Sequence, residues 1–141
     1  MDQKPFVGVW LDHRKAILFW TNAEAEIDIV NVESNYQEEN EPTDSLGMPD
    51  DTIHGGAVAH ASVDHRRQEQ LKQYYKKLDK MLRPARQIYL FGPGQAKKEL
   101  ASVLEKDKAL SADIRGIQGA DKKLTVPQMA AHVREEFGLP K

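Results

Sequence analysis

The chain opens with two apolar, β-prone runs that are separated by a short polar break. Residues 6–11 and 16–20 are apolar almost throughout, and the four residues between them are all polar. Two such runs with a short polar link are typical of a β-hairpin. Residues 24–32 then alternate acidic and apolar side chains, with Ile27 and Ile29 on one face, which indicates a third strand with one solvated face. The pattern therefore predicts a three-stranded meander.

Residues 33–57 follow neither the helical nor the strand period. They contain two prolines and three glycines, with mostly polar residues between them. A stretch of this length without regular structure is uncommon inside a compact domain, and it is often functional or mobile. The many acids and few large apolar groups favour mobility. We therefore predict a long mobile loop over residues 33–57.

An amphipathic helix is predicted next, because no glycine or proline occurs from Ser62 to Arg83. Apolar side chains recur there at spacings of three and four, the spacing that places them on one helical face. These residues are Leu71, Tyr74, Tyr75, Leu78, Met81 and Leu82. The helix spans about six turns at ~3.6 residues per turn. Pro84 ends it, because the residue before a proline is disfavoured in helical conformation.

The last third of the chain alternates strand and helix patterns. The predicted elements are a strand over 86–91, a tight turn over 92–94, a helix over 95–106, a weaker strand over 112–117 and a helix starting at 125. Thr125 and Gln128 form a capping box at that last start. Strands joined through a helix run parallel with a right-handed crossover. We therefore predict an α/β fold: a mixed sheet with helices packed on it.

Composition is that of one globular domain. The 141 residues are 40% hydrophobic and 30% charged, and none is cysteine. A domain usually takes ~100–200 residues, so the prediction is a single domain over residues 1–141. Without cysteine, disulfides, thiolate zinc sites and cysteine nucleophiles are excluded. No apolar run approaches the ~18 residues of a membrane span, and the first residues lack the apolar core of a secretory signal. The expectation is a cytoplasmic protein with no membrane partner.

Charge is distributed unevenly along the chain. The net charge of −2 excludes a uniformly basic nucleic-acid binder. Residues 21–53 carry ten acids and no Lys or Arg, whereas residues 60–87 carry eight bases against three acids. Lys72, Lys76, Lys80 and Arg83 recur at spacings of four and three residues, so the helix is expected to place them in one stripe. Such a stripe is either a surface for a polyanion or an ordinary solvated helix face.

The histidine cluster of residues 54–65 and the single residue Asp12 are the candidates for a catalytic or metal site. His54, His60, Asp64 and His65 lie within twelve residues, but they match no zinc signature and are interpreted as polar residues at a helix start. Asp12 falls in the polar break after the first strand, where an aspartate favours a surface turn. We therefore predict no catalytic residue, no cofactor and no metal site.

A glycine-rich turn precedes the second predicted helix. Gly92-Pro93-Gly94 is followed by Lys97 and Lys98, and a helix N-terminus can hold an anion. The segment does not match the phosphate-binding motif of P-loop proteins. We interpret it as a tight strand-to-helix turn.

Three stretches carry a family likeness. They are the opening hairpin over residues 9–18, the segment 54–75 with its Gly55-Gly56 pair and arginine-containing helix, and the strand–glycine–helix unit over 88–100. Together they resemble the middle domain of the archaeal and eukaryotic class-1 peptide chain release factors and of their pelota relatives, which has a ribonuclease-H-like fold.

The resemblance implies a function in translation. In the family, a Gly-Gly-Gln loop reaches the peptidyl-transferase centre and its glutamine helps to place the attacking water. Ala57 stands where that glutamine would be, and its side chain can neither donate nor accept a hydrogen bond. The resemblance therefore implies a translation-associated protein that binds the ribosome, tRNA or ribosomal RNA, with a degenerate Gly-Gly loop that does not hydrolyse peptidyl-tRNA.

The binding residues expected on this reading combine the glycine pair with the basic helix. They are Gly55, Gly56, Arg66, Arg67, Lys72, Lys76, Lys80 and Arg83. Two alternatives stay open at this point. One is a metal-dependent phosphodiesterase or nuclease that uses Asp12 and the histidines of residues 54–65. The other is an interaction module that self-associates to a homo-oligomer, its acidic segment 21–53 meeting the basic helix.

Overall fold

The computed structural model describes residues 4–34, 49–120 and 123–140, and only the backbone of residues 49–64. The described elements, in chain order, are strands β1 (Phe6–Leu11), β2 (Lys15–Thr21) and β3 (Ile27–Glu33), helix α1 (Pro49–Leu82), strand β4 (Gln87–Gly92), helix α2 (Ala96–Lys106), strand β5 (Asp113–Gly119) and helix α3 (Val126–Glu136). Among these, no helix has the length and apolar character that crossing a bilayer requires.

The strands form one mixed sheet in the order β3-β2-β1-β4-β5. The first three strands are the predicted antiparallel meander, with Val9 opposite Leu18 and Leu18 opposite Val30. β4 pairs with β1 in parallel, and β5 pairs with β4 in parallel. The predicted α/β fold is confirmed, and the two later strands lie beside β1.

Helices α1 and α2 cover one face of the sheet. Leu78 and Leu82 of α1 and Leu100 and Leu104 of α2 are all buried there. They pack against alternate residues of the central strands, such as Val9. The strands β1, β2 and β4 are therefore apolar on both faces, because each face is covered by helices.

Helix α3 covers the other face, over β1 and β2. Val133 lies against Gly8, and a Cβ atom on Gly8 would overlap the Val133 methyl groups. Trp10 and Phe91 are buried in the same layer, whereas Phe137 is half-buried and stacks on Phe6. Trp20, on the α1 side, is also only half-buried.

The prediction of a loop over residues 33–57 is wrong at its C-terminal end. α1 begins at Pro49, thirteen residues before the predicted start at Ser62, and therefore includes Gly55 and Gly56. Proline is favoured in the first helical turn, and the acids that follow it interact well with the helix N-terminus. These signals outweigh two glycines, which cost about 1 kcal/mol each in a helix. At the N-terminal end of the predicted loop, Glu33 is the last residue of β3, and residues 35–48 lie outside the described residues.

In strand β3, the face that carries Ile27 and Ile29 is expected from the sequence to be buried, but the opposite face, with Val32, is the more buried one. Ile27 and Ile29 do share a face, but Ile29 is 45% exposed. Val32, on the face toward α1 and α2, is 4% exposed and belongs to that core. The reason is layer coverage: α3 packs on β1 and β2, so the edge strand extends past it.

Candidate nucleic-acid interface

The C-terminal half of α1 is anchored so that one side of it must face outward. Leu78 and Leu82 enter the core, and Tyr74 and Tyr75 are nearly as buried. The Tyr74 hydroxyl donates to the Asp12 carbonyl at 3.1 Å. The Tyr75 hydroxyl donates to Oε1 of Glu99 on α2, at 2.5 Å. Apolar contacts and these two hydrogen bonds therefore fix the rotation of the helix about its axis.

Three lysines lie on the outward side. Lys72, Lys76 and Lys80 are all exposed, at intervals of four residues. Four residues advance a helix by ~6 Å, so the three span ~12 Å of α1. Among the described residues, none of the three has a carboxylate within ion-pair distance. We name these three residues the lysine stripe.

Arg83 does not extend the stripe, although its position in the sequence suggested that it would. Its Nε atom donates to Oδ2 of Asp107 at 3.1 Å, and its guanidinium lies 3.9 Å from Asp79. Both carboxylates belong to the junction between the C-terminal ends of α1 and α2. Arg83 is thus drawn toward two carboxylates of its own molecule, and its Nε–H is already used in a hydrogen bond.

The two carboxyl groups at this junction, Asp79 and Asp107, shift each other's pKa in opposite directions. Asp79 is 7% exposed, and burial together with its hydrogen-bond partner Asp107 raises the pKa of Asp79 to about 6. Asp107 accepts a hydrogen bond from the Ala109 amide at 2.9 Å, and this bond and Asp79 hold the pKa of Asp107 below its ordinary value. The pair carries one proton over much of the mildly acidic range, with that proton on Asp79.

The remaining predicted binding residues do not join the stripe. Arg66 is exposed, but it lies on a different side of α1, since six residues separate it from Lys72. Arg67 is half-buried on the inward side, in helical register with Leu71. Gly55 and Gly56 have helical backbone, and Gly56 lies sixteen residues, or ~24 Å, from Lys72 along the axis.

The acidic residue of the nuclease alternative is engaged in a turn. Oδ1 of Asp12 accepts hydrogen bonds from the amides of Arg14 and Lys15 at 2.8 and 2.9 Å. This confirms the surface-turn interpretation. Among the histidines of that alternative, His65 is exposed, and the side chains of the others lie outside the described residues. The described residues hold no group of three or more potential metal ligands.

The Gly92-Pro93-Gly94 segment is the tight turn that was predicted. Gly92 has φ of 143°, and a Cβ atom there would collide with the Leu11 carbonyl. Lys97 is buried, its ammonium donates to the Gly94 carbonyl, and burial lowers its pKa. Lys97, in the first turn of α2, thus stabilises the glycine-rich turn that precedes this helix.

A second polar cluster, absent from the sequence-based expectations, links the sheet to α3. The Tyr89 hydroxyl of β4 lies 2.8 Å from Oε1 of Gln118 and 2.8 Å from Nε2 of His132. Burial, with a smaller contribution from Glu136, raises the pKa of Tyr89 to about 12. A phenol held neutral in this way is a structural link, and only the pairing of distant strands and helix brings its three members together.

Comparison with known proteins supports the fold. No protein-family model matches the chain, and no curated protein matches it. Among solved structures, it is similar to an archaeal translation termination factor, aRF1, with a TM-score of 0.53 and 12% sequence identity over 94% of this chain. The chain spans only 39% of the length of that protein. The likeness is one of fold, which agrees with the resemblance stated from the sequence.

Proposed function

We propose that this chain acts in translation as one domain that binds the ribosome or its RNA through the lysine stripe of α1, without hydrolysing a substrate itself. The observation that carries the proposal is the stripe: three exposed ammonium groups on one side of a rigidly docked helix. Lysines that meet phosphates release condensed counterions, which favours binding to RNA at low salt. The fold likeness to a translation termination factor directs the proposal toward the ribosome.

The proposal includes no hydrolysis because the candidate side chains lack the chemistry for it. Ala57 offers no side-chain group that could place a water molecule, and Asp12 already accepts two backbone hydrogen bonds. Gly55 and Gly56 lie within a helix, well away from the stripe, so the proposal gives them no contact with RNA. The binding surface is therefore narrower than the eight residues expected from the sequence.

Sedimentation with ribosomes tests the proposal. The protein is expected to pellet with ribosomes at low salt and to remain in the supernatant at moderate salt, because the contact is electrostatic. The variant Lys76→Glu/Lys80→Glu is expected to lose most of this binding while keeping its circular dichroism spectrum and urea midpoint. Both lysines are exposed and form no ion pair among the described residues, and the only described electrostatic interaction of Lys80 is with its neighbour Asp79.

A matched control distinguishes a local surface from overall charge. The variant Lys98→Glu/Lys106→Glu changes the net charge by the same amount on two exposed residues of α2. It is expected to pellet like the wild type. Wild-type protein that never pellets at low salt would overturn the proposal, and equal losses in both variants would remove the stripe as the binding surface.

A further inference from the structure

The chemistry of the outward side of α1 limits what kind of nucleic acid it can recognise. The stripe consists of lysines, which are compact point charges without a planar face. The nearest candidate for planar, bidentate contacts is Arg83, and its Nε atom is already bonded to Asp107. Lysines arranged in this way bind phosphates, and phosphate contacts carry no sequence information.

Exposed aromatic stacking groups are missing from the surface that the structure describes, where Phe6, Trp20 and Phe137 are half-buried. No Phe, Tyr or Trp side chain in that part of the chain is exposed. On α1 itself, Tyr74 and Tyr75 are 3% and 5% exposed and point into the core. Proteins that bind single strands obtain much of their affinity by stacking bases on exposed aromatic rings. The described surface offers no such platform beside the stripe.

The stripe is also rigid. α1 is one continuous helix, and the residues opposite the lysines are held by the core and by the Tyr74 and Tyr75 hydrogen bonds. The backbone positions that carry the three lysines are held along ~12 Å of helix, which suits a partner whose phosphates are themselves held at fixed positions. Double-helical RNA meets this requirement and is bound mainly through its shape, phosphates and 2′-hydroxyls.

We propose that the lysine stripe recognises the sugar–phosphate backbone of double-helical RNA in preference to unpaired strands. This inference rests on the proposed function and specifies its partner. It commits to paired RNA because the described surface supplies phosphate contacts without base contacts. Sequence is then irrelevant to binding, whereas pairing of the strands is decisive.

Fluorescence anisotropy with labelled RNA tests this directly. The probes are a short blunt-ended RNA duplex of mixed sequence, each of its strands alone, and a second duplex of unrelated sequence. Both duplexes are expected to bind equally, and severalfold more tightly than either strand. With three lysine–phosphate contacts, log K is expected to fall against log salt with a slope of about −2 to −3.

Variants separate phosphate contacts from stacking. Lys76→Glu/Lys80→Glu is expected to reduce the salt slope by about 2, since each lost lysine removes roughly one unit. His65, whose imidazole is exposed two turns before Lys72, is the control for stacking. His65→Ala is expected to leave the preference for duplex unchanged. If this substitution abolished RNA binding, the contact would involve bases and the inference would fail.

The outcomes distinguish this inference from the proposed function. Single strands that bind as tightly as the duplex would overturn the inference, while binding to ribosomes at low salt would still support the proposed function. A protein that pellets with ribosomes but binds none of the RNA probes would likewise overturn the preference for paired RNA. Failure in both assays would overturn the two together.

Discussion

At the scale of single residues, Gly8 decides how closely α3 approaches the sheet. It lies in β1 directly beneath Val133, and the space that a side chain would occupy is filled by the Val133 methyl groups. Glycine in a strand interior usually weakens the strand, so its presence is explained by this close approach. Val133 belongs to the same buried cluster as Trp10 and Phe91, so its contact with Gly8 brings α3 onto this part of the core.

Gly8→Ala is therefore expected to destabilise the protein by ~1–3 kcal/mol, the usual cost of overpacking a core. Urea unfolding measures the change. The control is Gly119→Ala in β5, where a Cβ atom has nothing within 4 Å, and its effect is expected within about 0.5 kcal/mol. In the Gly8→Ala background, Val133→Ala is expected to cost less than it does alone. Additive costs would show that the two residues do not compete for space.

At the scale of elements, the two helices on one face are joined by paired polar contacts at both ends. Tyr75 meets Glu99 near the start of α2, and Arg83 and Asp79 meet Asp107 at its end. α1 and α2 thus run parallel, with their contacts eight residues apart on each helix. Of these contacts, the carboxyl pair of Asp79 and Asp107 depends most directly on pH.

Because the pKa of Asp79 is raised in the folded protein, we expect the free energy of unfolding to depend on pH. Its pKa is raised from 3.8 to about 6 in the folded protein, so between these values the folded state holds a proton that the unfolded state has released. The free energy of unfolding should therefore fall as pH rises from about 4 to about 6 and level off above that. The loss from this group is at most about 3 kcal/mol, since one pKa unit corresponds to ~1.4 kcal/mol.

Asp79→Asn is expected to remove this fall, because the amide stays neutral and can still donate to Asp107. Urea unfolding at several pH values provides the measurement, and at pH 7 the variant should be more stable than the wild type. Asp113→Asn, on an exposed aspartate of β5, is the control and should keep the wild-type profile. An unchanged profile in Asp79→Asn would assign the pH dependence to other groups.

At the scale of the whole molecule, stability is concentrated in the centre of the sheet. β1 and β4 lie between other strands and between two helical layers, and nearly all their residues are buried. The outer strands β3 and β5 are largely exposed, with Ile29 and Ile117 at 45% and 38%. Charged groups are separated across α1: the lysine stripe is on its exposed side, and the carboxyl pair of Asp79 and Asp107 is at its junction with α2.

Hydrogen exchange should follow this gradient. Amides of β1 and β4 are expected to exchange slowest, by global unfolding, and amides of β3 and β5 faster, by local opening at the sheet edges. Exchange measured by mass spectrometry or NMR at one pH gives the comparison. Equal protection in β3 and β1 would contradict the idea that the edge strand, beyond the reach of α3, is only weakly held.

Features with a local cause could be predicted from the chain alone. The inward face of α1 around Leu78 and the capping box of Thr125 depend on residues three or four positions apart, and the structure confirms both. α1 starts before the predicted Ser62 because Pro49 and the acids after it outweigh the helix-disfavouring Gly55 and Gly56. The exposed positions of Lys72, Lys76 and Lys80 agree with their local spacing, whereas Arg83, which the same spacing places in the stripe, pairs with Asp107 instead.

By itself the sequence determined the order of strands and helices, the α/β class and the outward position of the lysines, because each follows from the periodicity of neighbouring residues. Only the tertiary structure decided that Arg83 turns away to Asp107, that burial raises the pKa of Asp79, and that β3 is buried at Val32. Those outcomes depend on which distant segments pack together and how far each layer extends, and no local pattern contains that information.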